Sequence, residues 1–345
     1  MSAPTVIYRQ LGKSGLRISV PIVGAMSFGH KDWGKWVIEE AEAIEVLKNA
    51  WDRGVNTIDT ANMYSAGVSE EIIGRFIKKY DIPRHKIVIF TKCYLPVGES
   101  PAAKMADLNV WAKTNRDYVN QAGLSRAAIF NAVEASLRRL QTNYIDLFQI
   151  HRFDADVPME ETMKALHDLV EQGKVRYIGA SSMRAWQFAA LNEVASRRGW
   201  TKFVSMQDEY SLLYREDERE LIPYCLANGI GLIPWAPLAA GALARPQGSE
   251  GTTRSDAAKG TPFEKKYRAS DLEIIKRVEE LAKVKNTTMA RVALAWTMNK
   301  ISSPIVGVSS VARLEEAMIG DFRLTEEESK SLEAPYEPLP VRGHM

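Results

Sequence analysis

Apolar residues along the chain fall into two alternating kinds of segment. Short runs rich in β-branched residues recur between longer stretches whose apolar positions return every three to four residues, the pattern of βα units around a parallel sheet. Eight runs read as strands: Pro21–Met26, Thr57–Ala61, Ile87–Lys92, Asp146–Arg152, Ile178–Ser182, Phe203–Asp208, Gly231–Ala236 and Pro304–Ser309. Runs such as Ile87-Val88-Ile89-Phe90 are apolar at every position, as expected when both faces of a strand are covered.

The intervening segments predict helices. Glu39–Arg53 carries Ala43, Val46, Leu47, Ala50 and Trp51 on one face, with Gly54 as its stop. Ser69-Glu70-Glu71 opens a second helix, Ser125 caps Ala127–Leu140, and Glu160–Glu171 exits through Gly173. Further helices are predicted over Trp186–Arg197, Glu218–Leu226, Leu272–Val284, Met289–Met298, Glu315–Ile319 and Glu326–Leu332. Ahead of the first strand, Ile7–Gln10 and Leu16–Ser19 flank Gly12-Lys13-Ser14-Gly15 and read as a hairpin plugging one end. Together these predict an α/β fold, a (β/α)8 TIM barrel with an N-terminal β-hairpin, residues 1–345 forming a single domain. Two connections, Cys93 to Leu124 and Ala239 to Ala269, are too long for simple turns and read as loops over the C-terminal face, where such barrels place their sites. Gly248–Gly260, rich in Gly, Ser and Thr, reads as mobile until something binds beneath it.

Composition narrows the class. With 345 residues, 46% hydrophobic, 26% charged and a net charge of +2, the chain is an ordinary globular protein whose cations are dispersed, which argues against a nucleic-acid or membrane surface. Cys93 and Cys225 lie far apart and form no CxxC, and no stretch has a signal-peptide core or a membrane-spanning apolar run. A cytoplasmic protein is expected. The five histidines form no HxH or HExxH pair, so no metal site is expected.

Ionisable residues stand at the C-terminal ends of three predicted strands: Asp59, Lys92 and His151, with Tyr64 in the loop after Asp59. Taken singly, each has an ordinary explanation: a capping carboxylate, a solvated lysine, a hydrogen-bonded core histidine, an unremarked loop tyrosine. Their common placement changes that, because adjacent strands bring all four over one barrel mouth. At these residues the sequence resembles the aldo-keto reductases, over Leu11 to Leu332. The resemblance rests on Gly24-Ala25-Met26-Ser27-Phe28-Gly29, Asn56–Ala61 with Met63-Tyr64-Ser65, Thr91-Lys92, Tyr144–Arg152 and Gly173–Gly179. The tracts Ser205-Met206-Gln207 and Leu213-Tyr214-Arg215-Glu216 look like the fungal aryl-alcohol dehydrogenase and versiconal hemiacetal acetate reductase branch.

The resemblance implies reduction of aldehydes or ketones with NADPH by a tetrad of Asp59, Tyr64, Lys92 and His151. Hydride arriving at a carbonyl carbon leaves charge on oxygen, which calls for a proton donor in a positive environment. A phenol with an ordinary pKa near 10 gives up its proton reluctantly, and a neighbouring ammonium eases the loss. Lys92 would supply it, Asp59 would hold Lys92 charged, and His151 would align the carbonyl. No GxGxxG follows a strand: Gly229-Ile230-Gly231-Leu232 lacks the third glycine and runs into a strand, and Gly12-Lys13-Ser14 lacks a P-loop's upstream glycine. The dinucleotide is implied by the resemblance alone. It places Gly24, Ala25, Met26 and Asp59 at the cofactor site, Ser181, Ser182 and Gln207 on the nicotinamide carboxamide, Trp235 on the ring, and Ala236, Pro237, Leu238 and Gly241 around the pyrophosphate. It also places Gly307, Ser309, Ser310 and Arg313 at a 2′-phosphate and Glu316 at adenine, with Gly307 and Ala317 standing where relatives commonly carry lysine and asparagine.

Around that centre, Phe28, Trp33, Trp36, Tyr94 and Arg152, with Leu95, Phe153 and Asp154 nearby, predict an aromatic-walled pocket for aromatic or bulky carbonyl compounds, Arg152 and Asp154 being a possible ion pair. A monomer or weak homo-oligomer acting on a small molecule is expected. The alternative is a non-catalytic NADPH-binding regulatory subunit of the same fold.

Overall fold

The computed structural model describes residues 6–249, 256–257, 260 and 266–344. Two antiparallel strands, β1 (Ile7–Gln10) and β2 (Arg17–Val20), form the hairpin. Eight parallel strands follow: β3 (Ile22–Gly24), β4 (Thr57–Asp59), β5 (Val88–Cys93), β6 (Ile145–Ile150), β7 (Val175–Ser181), β8 (Ser205–Gln207), β9 (Gly231–Leu232) and β10 (Ile305–Gly307). They lie in the order β10-β3-β4-β5-β6-β7-β8-β9. The Ile305 N–H donates to the Pro234 carbonyl at 2.9 Å and Ser302 N–H to Leu232 at 2.9 Å, closing the last strand against β9. This is the (β/α)8 architecture expected.

Helices α1 (Glu40–Asp52), α2 (Val68–Lys79), α3 (Met105–Thr114), α4 (Arg126–Leu140), α5 (Met159–Glu171), α6 (Ala185–Arg198), α7 (Leu221–Ala227), α8 (Ala269–Val284), α9 (Met289–Thr297), α10 (Val311–Ala317) and α11 (Glu326–Glu333) surround the strands. Their apolar faces form one large cluster with the outward side chains of the sheet, including Ile89, Phe148, Ile178 and Met206. Residues pointing into the barrel form a second, smaller cluster of Ile22, Val88, Phe90, Leu147, Ile233 and Ile305, completed by Leu11 and Ile18 of the hairpin. The hairpin is therefore the floor of the barrel; the buried ionisable pair Asp59–Lys92 lies at the opposite end, while the hydroxyls of Ser19, Thr57 and Ser303 are hydrogen-bonded near the floor. No helix of the described residues is long and apolar enough to cross a membrane.

Most observed strands are shorter than the runs that predict them, while β7 begins three residues earlier than predicted, at Val175, and β5 is shifted by one residue. Met26 lies in a single turn over Ala25–Ser27, and Ala61, Arg152, Ser182, Asp208 and Ala236 lie past the last paired residue of their strands. Backbone hydrogen bonds between neighbouring chains continue past several of these strand ends, as from Thr60 N–H to Phe90 and from Trp235 N–H to Asp208, both at 2.9 Å. Between Cys93 and Leu124 the connection contains α3, which the sequence does not signal: Leu108 is its one buried side chain, while Val110 and Trp111 are exposed. The predicted helix Glu218–Leu226 is a single turn over Glu216–Glu218 followed by α7. The helix predicted at Glu315–Ile319 starts at Val311, where the Ser310 hydroxyl accepts the Arg313 N–H, and ends when Met318 turns extended. Of the predicted mobile stretch Gly248–Gly260, residues 250–255 and 258–259 lie outside the described residues.

The floor is fitted without slack. A Cβ on Gly231 would sit 2.5 Å from Leu11 Cδ1 and 2.7 Å from the Gly12 nitrogen. Gly231→Ala is expected to lower stability by about 1–3 kcal/mol through overpacking at the hairpin, measured by denaturant unfolding. A change within a few tenths of a kcal/mol would show that the plug is loosely seated.

Candidate active site

Lys92 projects from β5 into the barrel mouth and has no exposed surface. An ammonium so buried needs a countercharge and full hydrogen bonding. Its Nζ donates to Asp59 Oδ2 at 2.6 Å and to the Thr60 carbonyl at 2.8 Å, both from the end of the neighbouring strand. The other carboxylate oxygen, Asp59 Oδ1, accepts from Gln149 Nε2 at 3.1 Å and Gln207 Nε2 at 2.9 Å. Gln207 Nε2 also donates to Gln149 Oε1 at 2.9 Å. Register explains the convergence, since Lys92 pairs with Gln149, Ser181 with Gln207 and Gly24 with Asp59 across adjacent strands.

Tyr64 hangs over this centre. The Lys92 ammonium lies 5.2 Å from its ring centroid, and the His151 ring packs edge-on at 6.0 Å. Burial pushes the phenol pKa up, and the charge and hydrogen bonding of Lys92 pull it back down without cancelling the rise. Lys92 is itself held above its usual range because Asp59 and Tyr64 outweigh desolvation. Burial, reinforced by Lys92 and Arg152, drives the His151 pKa well below 6.5, so its ring is neutral at pH 7. Among the described residues its buried Nδ1 has no hydrogen-bond partner.

The turn carrying Tyr64 is strained. Ser65 and Ala66 adopt left-handed backbone with φ of 49° and 54°, costing on the order of 1–2 kcal/mol each. The start of α2 holds them. Ser69 Oγ donates to the Ala25 carbonyl at 2.8 Å, while the fully buried Glu70 carboxylate accepts from Thr91 Oγ1 at 2.5 Å and Arg139 Nε at 2.7 Å.

On the β7–β9 side, Ser181 Oγ donates to the Gln207 carbonyl at 2.7 Å, the Ser182 N–H donates to Asp208, and the half-buried Trp235 donates Nε1 to Ser182 Oγ at 3.3 Å. The Gln207 amide is thus turned towards Asp59 rather than open to both sides. Trp235 is followed by Ala236, Pro237 and Leu238, then by a turn in which Ala239, Ala240 and Gly241 have positive φ. After β10, Arg313 is exposed on α10, with Nη1 donating to Ser309 Oγ at 2.7 Å; Gly307 and Glu316 are also exposed, and Ala317 is buried.

Among the predicted pocket residues, Trp33 packs 5.6 Å from Trp36 and 6.2 Å from Tyr64, an aromatic wall leading to the tetrad. Phe28 has no exposed surface and belongs to the hydrophobic core instead of lining a pocket. Arg152 and Asp154 do not pair. The Arg152 Nη1 donates to the His151 carbonyl at 2.5 Å, while Asp154 receives the Leu124 and Asp156 N–H groups at 2.8 and 3.0 Å.

Two features had no distinct signal in the sequence. Gln149, inside an apolar run, completes the Asp59 coordination; its place two residues before His151, on the same side of the strand, was the available hint. The chain's end also folds back beside the mouth. The Arg342 guanidinium grips the Glu209 carboxylate at 2.7 and 2.9 Å, and His344 lies 3.8 Å from Asp217. Burial raises Asp217 to about 7 and lowers His344 to about 4, while Asp208 is raised well above its usual range, chiefly by burial.

The Aldo/keto reductase family model matches residues 22–337, from the first barrel strand to beyond the last helix. The chain is 51% identical to an aldo-keto reductase of Fusarium vanettenii, over 100% of this chain and 95% of that protein. It is 49% identical to versiconal hemiacetal acetate reductase of Aspergillus parasiticus, covering 97% of this chain and 98% of the relative. A protein of Schizosaccharomyces pombe named as an aryl-alcohol dehydrogenase is 50% identical, with 98% of each chain covered. The barrel, its polar mouth and these relatives agree: the chain is an oxidoreductase that belongs to the aldo/keto reductase family.

Proposed function

We propose that this protein reduces aldehydes or ketones to alcohols with NADPH, Tyr64 giving the proton. The observation that carries the reading is the buried Lys92–Asp59 pair, 2.6 Å apart, beside a phenol and a neutral imidazole. A purely structural role does not require an ammonium, a phenol and an imidazole to converge at the C-terminal end of the barrel.

The residues present fit a dinucleotide. Gln207 spends its amide nitrogen on Asp59 and Gln149, which leaves Oε1 to accept from a carboxamide. Ser182 would meet the same group, and Trp235, tethered through Nε1, offers a ring face for stacking. Gly24, Ala25 and Met26 would back the nicotinamide side, and the left-handed turn after Leu238 would present backbone to a pyrophosphate. Arg313 uses one nitrogen on Ser309, leaving the rest of its fork for a 2′-phosphate, with Ser310 at hand and Glu316 towards the adenine. A reduced nicotinamide supplies the hydride when bound.

The chain's own groups handle charge and proton. Burial keeps Tyr64 protonated at neutral pH, so it stands ready as a donor. Lys92 lowers the cost of the phenolate that forms, and Asp59 with Gln149 and Gln207 keeps the ammonium charged and fixed. His151, neutral, can donate a hydrogen bond to the carbonyl oxygen without placing a second cation beside Lys92. Trp33 and Trp36 suit aromatic or bulky substrates.

Tyr64→Phe should lower kcat for aldehyde reduction by roughly 10²–10⁴-fold with cofactor affinity intact, measured by loss of reduced-cofactor absorbance; activity within a few-fold of the parent removes Tyr64 from the mechanism. Arg313→Ala should weaken NADPH binding about tenfold or more and leave NADH nearly unaffected. Equal losses for both cofactors, in fluorescence titrations, would show that the arginine does not read the phosphate.

A further inference from the structure

Arg152 immediately follows His151 at the end of β6, and it is only partly accessible. Its hydrogen-bond partner is neutral: Nη1 donates to the His151 carbonyl, and no carboxylate among the described residues lies within ion-pair distance. Of the acidic groups around it, Asp154 caps the backbone of Leu124 and Asp156 and Glu209 is gripped by Arg342, while Asp208 accepts the Ser182 N–H through Oδ1 and has no hydrogen-bond partner for Oδ2 among the described residues, though it too lies beyond ion-pair distance of Arg152. Asp59, the carboxylate of the tetrad, is saturated by Lys92, Gln149 and Gln207. Burial lowers the Arg152 pKa, and the nearby charges and phenols of Tyr64, Asp208 and Tyr94 partly offset that; its place after the last residue of β6 sets it at the mouth end of the barrel, where Tyr64 and His151 converge.

A guanidinium taken partly out of water and given no anion is costly, and the natural remedy is an anion that arrives from outside. We infer that Arg152 is a specificity residue that binds a carboxylate carried by the substrate, so that this enzyme takes carbonyl compounds bearing an acidic group in preference to neutral ones. This rests on the carbonyl-reductase reading and narrows its substrate class. Arg152 follows the imidazole that would align the carbonyl, so the carboxylate and the carbonyl would belong to one small molecule, and the spacing between them is left to the test. The Trp33–Trp36–Tyr64 wall favours an aromatic body between or beside them.

The test compares each acid with its own methyl ester, which keeps shape and removes charge: phenylglyoxylate, with the carboxylate beside the carbonyl, and 4-carboxybenzaldehyde, with it across the ring. Turnover of the neutral esters with NADPH reports the reductase reading by itself. The acid-to-ester ratio of kcat/KM reports Arg152. We expect at least one acid to be favoured roughly tenfold or more, mainly through KM, as a charge-assisted bidentate contact would give. Arg152→Gln should abolish that preference while the ester is still reduced, and Arg152→Lys should restore part of it. Circular dichroism and ester turnover show whether each variant is folded. Esters turned over without any acid preference, or a preference that survives in Arg152→Gln, would overturn the assignment.

Discussion

Removing an ammonium from water is the constraint on which this molecule is organised. Lys92 is enclosed on all sides, and an isolated charge there would cost several kcal/mol or lose its proton. Asp59 answers the charge with one oxygen and leaves the other buried, which in turn requires Gln149 and Gln207. Four strands, β4, β5, β6 and β8, must therefore end in register. Their apolar runs set that register, because a slip of one residue would turn Lys92 and Gln149 away from the interior and bring Thr91 or Phe148 inward.

The second demand is on Tyr64. It comes from a turn, and turns are the parts of a barrel least able to fix a side chain. Two left-handed non-glycine residues hold it there, at an energetic cost met by the hydroxyls of Thr60 and Ser69 and by the Glu70–Arg139 pair beneath α2. Burial and Lys92 then act in opposite directions on the phenol. Burial dominates and keeps the proton on, while Lys92 sets how far the cost of releasing it is reduced.

Much of this was legible in the order of residues. Short runs rich in apolar and β-branched residues marked all eight barrel strands, and the hairpin floor followed from two short runs around Gly12–Gly15. Asp59, Lys92 and His151 declared themselves by ending such runs. What could not be read was side-chain direction and long-range return. Gln149 hid inside its strand; Asp154 turned to a backbone it caps rather than to Arg152; and the segment bearing Arg342 crosses back to Glu209 through contacts that no local pattern encodes. Helix α3 was missed because its apolar residues, Val110 and Trp111, face outward and so break the periodicity that signals burial.

The central claim is that Lys92 lowers the proton affinity of Tyr64 against the effect of burial. Its most direct measurement is the high-pH titration of the Tyr64 ring carbon in protein labelled at tyrosine Cζ, the resonance being assigned by its loss in a Tyr64→Phe sample. The parent is compared with Asp59→Asn/Lys92→Met, which removes both charges and leaves neither orphaned. The account predicts that Tyr64 titrates at higher pH in the double variant. A midpoint that stays put or falls would contradict it.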